Sequence, residues 1–276
     1  MTVRRTSSGV VVTLIILVVA AGYVFPFYLI SMNSFKGYLE VITSFLKLPK
    51  DPSFDNFARA WVLMKLPRPF LNTLIICALS IAGSVLLSAM GGYKLERTGD
   101  KKSRVLYYYF IFSLVIPFFV IMIPVMRLAA QMRITNSLLG LSLLYIAFTC
   151  PFAVFMIYGF TKTIPRETED AAIIDGCGPF MLFFRIALPL LQPAVMTLVV
   201  LYMLWIWNDF ALPYLLVADK RLHTVTVAAY YFAGTQMIEW DLIIAGMTLI
   251  TAPIIIFYFF AQKYIQRGIA TSGLKS

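Results

Sequence analysis

Charge is what this chain has least of. Asp, Glu, Lys and Arg make up 13% of its 276 residues, about half the share of an ordinary soluble domain. With 61% of residues hydrophobic, the expected solvent is a bilayer. Histidine is reduced to His223, which argues against a histidine-built metal centre. Cysteine is scarce too. Cys77, Cys150 and Cys177 stand far apart, without metal-ligand or redox spacing, so they are expected as small buried hydrophobes and no metal site is expected. A G-x-x-x-x-G-K-[ST] phosphate loop is also missing, so the chain is not expected to hydrolyse nucleotides itself. The charge that is present is unbalanced, at +10 net. No basic stripe with interleaved aromatics stands outside the apolar runs, so nucleic acid is not an expected partner. Basic loops lying against anionic lipid headgroups account for the excess.

What is there is a succession of long apolar runs. A membrane-crossing helix needs about 20 such residues. Six stretches qualify, at approximately 9–32, 70–94, 105–127, 136–161, 190–212 and 242–262. The fold class expected is therefore an all-α integral membrane protein with six transmembrane helices in a single domain. A shorter stretch, 222–238, is expected as a short outer or interfacial element. Arg4 and Arg5 ahead of Val10–Tyr28 imitate a signal peptide, but the run is too long for a cleaved segment and is taken as a retained first span. An even span count puts both termini on one side. The basic excess there is small; the compact loop holding Lys94, Arg97, Lys101, Lys102 and Arg104 is the better sign that this side is cytoplasmic. Pro26, Pro117, Pro124, Pro151 and Pro253 fall inside the apolar runs and are expected to kink them, as suits either a moving transporter or a bent scaffold.

One segment breaks the pattern. Between the fourth and fifth spans lies a loop, 162–189, in which Glu167, Glu169, Asp170 and Asp175 crowd into Pro165–Gly176. Pro165 suits a first helical position, and the acids that follow suit the positive end of a helix dipole. Ala171 and Ala172 favour helix, and Asp175-Gly176 offers a stop with glycine free to take positive φ. A second short helix is expected over Pro179–Leu188, where Phe180, Phe183, Phe184 and Ala187 form an apolar stripe backing onto the spans. The first helix would then present its acids and a flat alanine patch forward. A soluble partner and a merely solvated loop both fit.

The spacing settles on a family. Asp170-Ala171-Ala172, three residues, Gly176, nine residues, then Ile186-Ala187-Leu188-Pro189 resembles the E-A-A…G…I-x-L-P loop of permease subunits of binding-protein-dependent ABC importers, with Asp in place of the first Glu. Tyr264–Ser276, Asn72-Thr73-Leu74 and Trp207-Asn208-Asp209-Phe210 resemble the carbohydrate-uptake, maltose-type class, in particular its smaller six-span permease. The resemblance implies a type I importer fold in a bacterial or archaeal cytoplasmic membrane. It implies a second, homologous permease as heterodimer partner, two ATPase subunits below, and an extracellular or periplasmic sugar-binding protein above. Glu169, Asp170, Ala171, Ala172, Asp175, Gly176 and Pro189 would form the ATPase-coupling element. The tail, 263–276, would reach toward the ATPases from Arg267 onward. No cofactor would be bound by this chain; ATP and Mg would sit on the partner ATPases.

Trp205, Trp207, Asn208 and Asp209 close the fifth span. Aromatic rings stack on sugar faces and polar groups bond hydroxyls, which makes them a candidate translocation path; an interfacial aromatic belt reads equally well. Asn72, Asn136 and Gln192 are expected as caps or interhelical hydrogen bonds, and Tyr107, Tyr108 and Tyr109 as an interfacial girdle. Phe57, Ala58, Trp61 and Met64 recur at helical spacing and suggest a short amphipathic helix. The competing function, an ion-gradient-driven secondary transporter, would need ionisable residues at mid-bilayer, and the six runs hold none there. The identity of the transported solute is not written in these residues.

Overall fold

Helix formation follows the apolar runs closely. The computed structural model describes residues 7–235 and 239–273, with side chains over 9–235 and 239–263; Arg4, Arg5 and the last three residues of the tail lie outside them. Fourteen α-helices are described: α1 Ser7–Asn33, α2 Tyr38–Thr43, α3 Asp55–Leu63, α4 Pro67–Thr98, α5 Lys101–Leu114, α6 Phe118–Gln131, α7 Leu138–Thr161, α8 Arg166–Ile174, α9 Pro179–Leu182, α10 Leu188–Leu190, α11 Gln192–Asn208, α12 Ala211–Leu216, α13 Val225–Thr235 and α14 Trp240–Gly273. No strand occurs among the described residues. Among the described residues, four helices are long and apolar enough to cross a bilayer, and the number reaches six when each of two bent helix pairs is taken as one span.

Two of the bends are far sharper than the proline kinks expected. The third run, 105–127, is two helices, α5 and α6, meeting at 106°. Ile116 precedes Pro117, a position where the α region is disfavoured, and α5 ends just before it, at Leu114. The fifth run is entered through a 72° bend between α9–α10 and α11, beside Pro189 and Pro193, and α11 stops at Asn208 because Asp209 is extended (φ −70°, ψ 130°). The expected tail begins as helix, since α14 continues unbroken to Gly273. Of the 222–238 element, Val225–Thr235 is helical, and 236–238 lie outside the described residues.

The chain divides into two units, Met1–Leu66 with Ala228–Pro253, and Pro67–Val227 with Ile254–Ser276. In the first unit, α1 is bare: every side chain from Gly9 to Tyr28 is exposed. Its end is closed by Lys36, wholly buried, whose Nζ donates to Asn33 Oδ1 at 2.9 Å and to the Ser44 and Phe45 carbonyls at 2.8 and 3.3 Å. Burial pulls this ammonium's pKa below the usual lysine value, partly opposed by Glu40. The amphipathic helix expected near Trp61 exists as α3, but its inner face is different. Asn56, Ala60 and Met64 are buried while Ala58 and Trp61 are exposed, because Asn56 Nδ2 donates to the Ser34 and Lys36 carbonyls at 3.3 and 2.7 Å. Met64 then lies over Gly246, where a Cβ would stand 2.8 Å from its sulfur.

The second unit is organised by the α4–α7 pair. Ser80, Ser84, Ser88 and Gly92 repeat every fourth residue along α4 and all are buried, giving one small-residue stripe on one helix face. Opposite it, Thr149 Oγ1 donates to Ser84 Oγ at 2.7 Å, and Ser80 and Ser88 reach the Ser142 and Cys150 carbonyls at 3.4 Å. Tyr202 ties α11 to the same helix, donating to the Thr149 carbonyl at 2.7 Å. The expected caps Asn72 and Asn136 instead clamp a distant loop. Asn72 Nδ2 donates to the Arg221 and His223 carbonyls at 3.0 Å, and Asn136 Oδ1 accepts from the Ala218 and Asp219 amides at 3.0 and 2.8 Å. In the same loop, hydrogen bonds from Arg221 hold the Asp219 carboxyl at about 2, below the usual range.

Candidate functional site

Helix α8 begins after Pro165, which is the N-cap rather than the first helical residue. It ends as its sequence dictates. Gly176 takes φ +86°, its amide bonds the Ile173 carbonyl, and the Cys177 amide bonds the Ala172 carbonyl, each at 3.0 Å. These are the paired bonds of a Schellman stop. The chain continues through α9, a π-helical turn over Phe183–Ala187, and α10, which holds the exposed Pro189.

Contrary to expectation, neither all the acids of α8 nor both alanines face forward. Glu167, Asp170, Ala171 and Asp175 are exposed, but Glu169 and Ala172 are buried. Glu169 turns back onto Arg97 at the end of α4. Arg97 Nε donates to both Glu169 oxygens at 2.9 Å and Nη2 to Oε1 at 2.7 Å. The same guanidinium donates to Glu96 Oε2 at 2.7 Å and to the Ile164 carbonyl at 3.0 Å. Sequence reasoning counted Arg97 as one more loop cation; its carboxylate partner lies 72 residues away, beyond the reach of any local pattern.

The aromatic stripe behind α8 is divided. Phe183 and Ala187 are buried, with Phe183 packed on Tyr93 at 5.5 Å between ring centroids. Phe180 and Phe184 stay exposed at 72% and 45%, since the π turn shifts the register that a regular helix would have kept. A cleft of about 600 Å³ runs between the end of α4 and α8–α9, with Met90, Lys94, Ile173 and Phe180 among its walls. The outward surface therefore alternates carboxylates (Glu167, Asp170, Asp175) with bare apolar groups, notably Ile174 at 85% exposure.

The four residues closing the fifth span separate into two pairs. Trp205 and Asp209 line a cavity of about 570 Å³ at the break between α5 and α6. Tyr145 joins them: its hydroxyl donates to Asp209 Oδ2 at 2.8 Å and its ring meets Trp205 edge-on. Trp207 is buried at 3% and packs on Phe70, while Asn208 returns its amide to the Leu204 carbonyl. Neither borders that cavity. Tyr145 was missed because an interior tyrosine in an apolar run carries no local mark. Among the described residues no cluster of His, Cys, Asp and Glu is suited to a metal ion.

Comparison with known proteins places this architecture. The family described as "binding-protein-dependent transport system inner membrane component" matches residues 84–271. The probable starch degradation products transport system permease protein AmyC of Thermoanaerobacterium thermosulfurigenes is 38% identical over 254 residues, 92% of each chain. The melibiose/raffinose/stachyose import permease protein MelC of Bacillus subtilis (strain 168) is 30% identical over 276 residues, the full length of both. A chain from the crystal structure of a bacterial ABC transporter involved in the import of the acidic polysaccharide alginate superposes with a TM-score of 0.80 over 96% of this chain and 98% of that one, at 21% identity. This multi-pass, all-helical membrane chain belongs to the family of inner membrane components of binding-protein-dependent ABC transport systems.

Proposed function

We propose that this permease imports a sugar or oligosaccharide and that α8 is its docking helix for a separate ATPase subunit. The observation that carries the docking reading is the surface of α8 and α9. Ile174 and Phe180, 85% and 72% exposed, lie outside the apolar runs and beside carboxylates, where water is a poor partner for them. Ala171 among them allows close approach of a partner backbone. The partner cleft expected is apolar at its floor and basic at its rim. ATP and Mg belong to that partner, and closure of an ATPase pair would move α8 and switch access through the membrane. A second, homologous permease and an extracellular binding protein complete the assembly, with both termini of this chain on the ATPase side.

The solute class rests on the relatives, whose names include starch degradation products, diacetylchitobiose and arabinooligosaccharides. The cavity adds a chemical fit: the Trp205 ring can stack on a sugar face, and Asp209 and Tyr145 can bond hydroxyls. Affinity-purified chain should bring an ATPase with it. Gly176→Val, which forces a branched residue to positive φ at a cost of at least 1–2 kcal/mol, should deplete the ATPase and abolish uptake, whereas Gly176→Asn should retain most of both. Purification without an ATPase, or full uptake by Gly176→Val, would reject the docking reading. Uptake assays across di- to hexasaccharides test the solute class.

A further inference from the structure

We propose that Arg97 is a positioning residue that latches α8 to α4, so that displacement of α8 is transmitted into the membrane helices instead of being lost in rotation about its ends. The proposal rests on the reading of α8 as the ATPase-docking helix and adds how its motion is carried inward.

Apart from the buried Ala172, α8 is tied to the chain around it through Arg97 and through its ends. On one side Thr163 and Ile164 form a turn after α7, with their amides on the Phe160 and Thr161 carbonyls. On the other stand Gly176, at φ +86°, and Gly178. A helix suspended between a short turn and two glycines can swing when pushed. Arg97 removes that freedom at two points, Glu169 on α8 and the Ile164 carbonyl at the α7–α8 turn, while Glu96 beside it on α4 fixes the guanidinium itself. A planar guanidinium holding both oxygens of one carboxylate resists rotation as well as separation. The pair is shielded, with the Arg97 and Glu169 side chains 11% and 8% exposed, so solvent competes weakly for either group. Arg166 stands 3.8 Å from Glu96, a second and looser strut between the same helices.

What the latch grips is itself rigid. The Ser80–Gly92 stripe zips α4 to α7, and a Cβ at Gly92 would already stand 3.0 Å from Ile157 and from the Val154 carbonyl. Further along α7, Thr149 bonds Ser84, and Tyr145 reaches Asp209 in the cavity wall. A push on α8 therefore moves α4 and α7 as one body and ends at the group that lines the cavity.

The test measures ATP hydrolysis and solute uptake in the same proteoliposomes holding the complete complex. Arg97→Ala should assemble and hydrolyse ATP, while solute moved per ATP falls about tenfold, within the range of site-to-site coupling. Arg97→Lys, which keeps charge but loses the planar fork, should fall between. The exchange Arg97→Glu with Glu169→Arg should recover part of the ratio. A wild-type ratio in Arg97→Ala overturns the latch. So does loss of bound ATPase in step with uptake, which would make Arg97 an assembly residue only. If Arg97→Ala does not fold, Glu169→Gln decides: a reduced ratio with ATPase retained supports the latch, and an unchanged ratio overturns it. Wild-type chain that captures no ATPase overturns the docking reading and this proposal together; a wild-type complex whose variants stay coupled overturns the latch alone.

Discussion

Two adjacent glycines of α4 show how finely the helix seam is drawn. Gly92 faces Ile157, and an added Cβ there would lie 3.0 Å from that side chain and from the Val154 backbone oxygen, whereas a Cβ at Gly91 would meet nothing within 4 Å. Gly92→Ala should therefore destabilise the protein by about 1–3 kcal/mol through overpacking. Gly91→Ala should be neutral or stabilise it by about 0.5–1 kcal/mol, because glycine is a poor residue inside a helix. Thermal unfolding in detergent distinguishes the two; equal effects would mean that the seam tolerates a methyl group. The four-residue repeat of Ser80, Ser84, Ser88 and Gly92 did not stand out in the sequence, because within an apolar run it is one helical face among several, and only the partner helix selects it. Gly176 was legible outright, since Asp-Gly after a helix has few other uses. Glu169 was not: an acid in a first helical turn reads as solvent-facing, and its burial depends on Arg97, distant in the chain.

At the scale of elements, the positions of helices followed from hydrophobic runs, while their breaks did not follow in full. Pro117 was legible as a kink, but a kink and a 106° turn differ by what surrounds them: here a cavity opens at the turn, with Phe118 and Trp205 on its walls. Likewise the Phe180–Ala187 stripe predicted one buried face, and the π turn left Phe180 and Phe184 outside. Such turns add a residue without any compositional mark. For α8 the decisive element-level question is which side of the membrane it occupies. Thr168 is exposed on α8, whereas Cys177, half-buried just past its end, would add background labelling. A single cysteine at Thr168, in a background with Cys77, Cys150 and Cys177 replaced by Ser, should react with an impermeant maleimide in inside-out vesicles and stay unlabelled in intact cells. Labelling from outside intact cells would invert the orientation and remove α8 from any cytoplasmic ATPase.

For the whole molecule, the scarcity of charge decides how transport can be driven. A gradient-driven carrier moves protons or sodium ions through ionisable groups in mid-membrane. Here Glu96 and Glu169 lie at helix ends and are balanced by Arg97 and Arg166. Asp209 ends α11 and accepts from Tyr145. Asp241 is the remaining buried acid of note, 4% exposed and with no hydrogen-bond partner for its Oδ1 among the described residues. It stands in the first turn of α14, where the positive end of the helix dipole favours a carboxylate, and one acid at a helix start is not a relay. Uptake by the reconstituted complex should therefore continue when proton and sodium gradients are collapsed and stop when ATP gives way to a non-hydrolysable analogue. Asp241→Asn, which keeps the shape and removes the charge, should leave uptake within about twofold of wild type, a barrier change of about 0.4 kcal/mol, because a lone acid at a helix start offers no onward path for an ion. If Asp241→Asn abolished uptake while ATP hydrolysis continued, or if an imposed ion gradient alone drove accumulation without nucleotide, ion coupling through this acid would have to replace the ATP-driven reading.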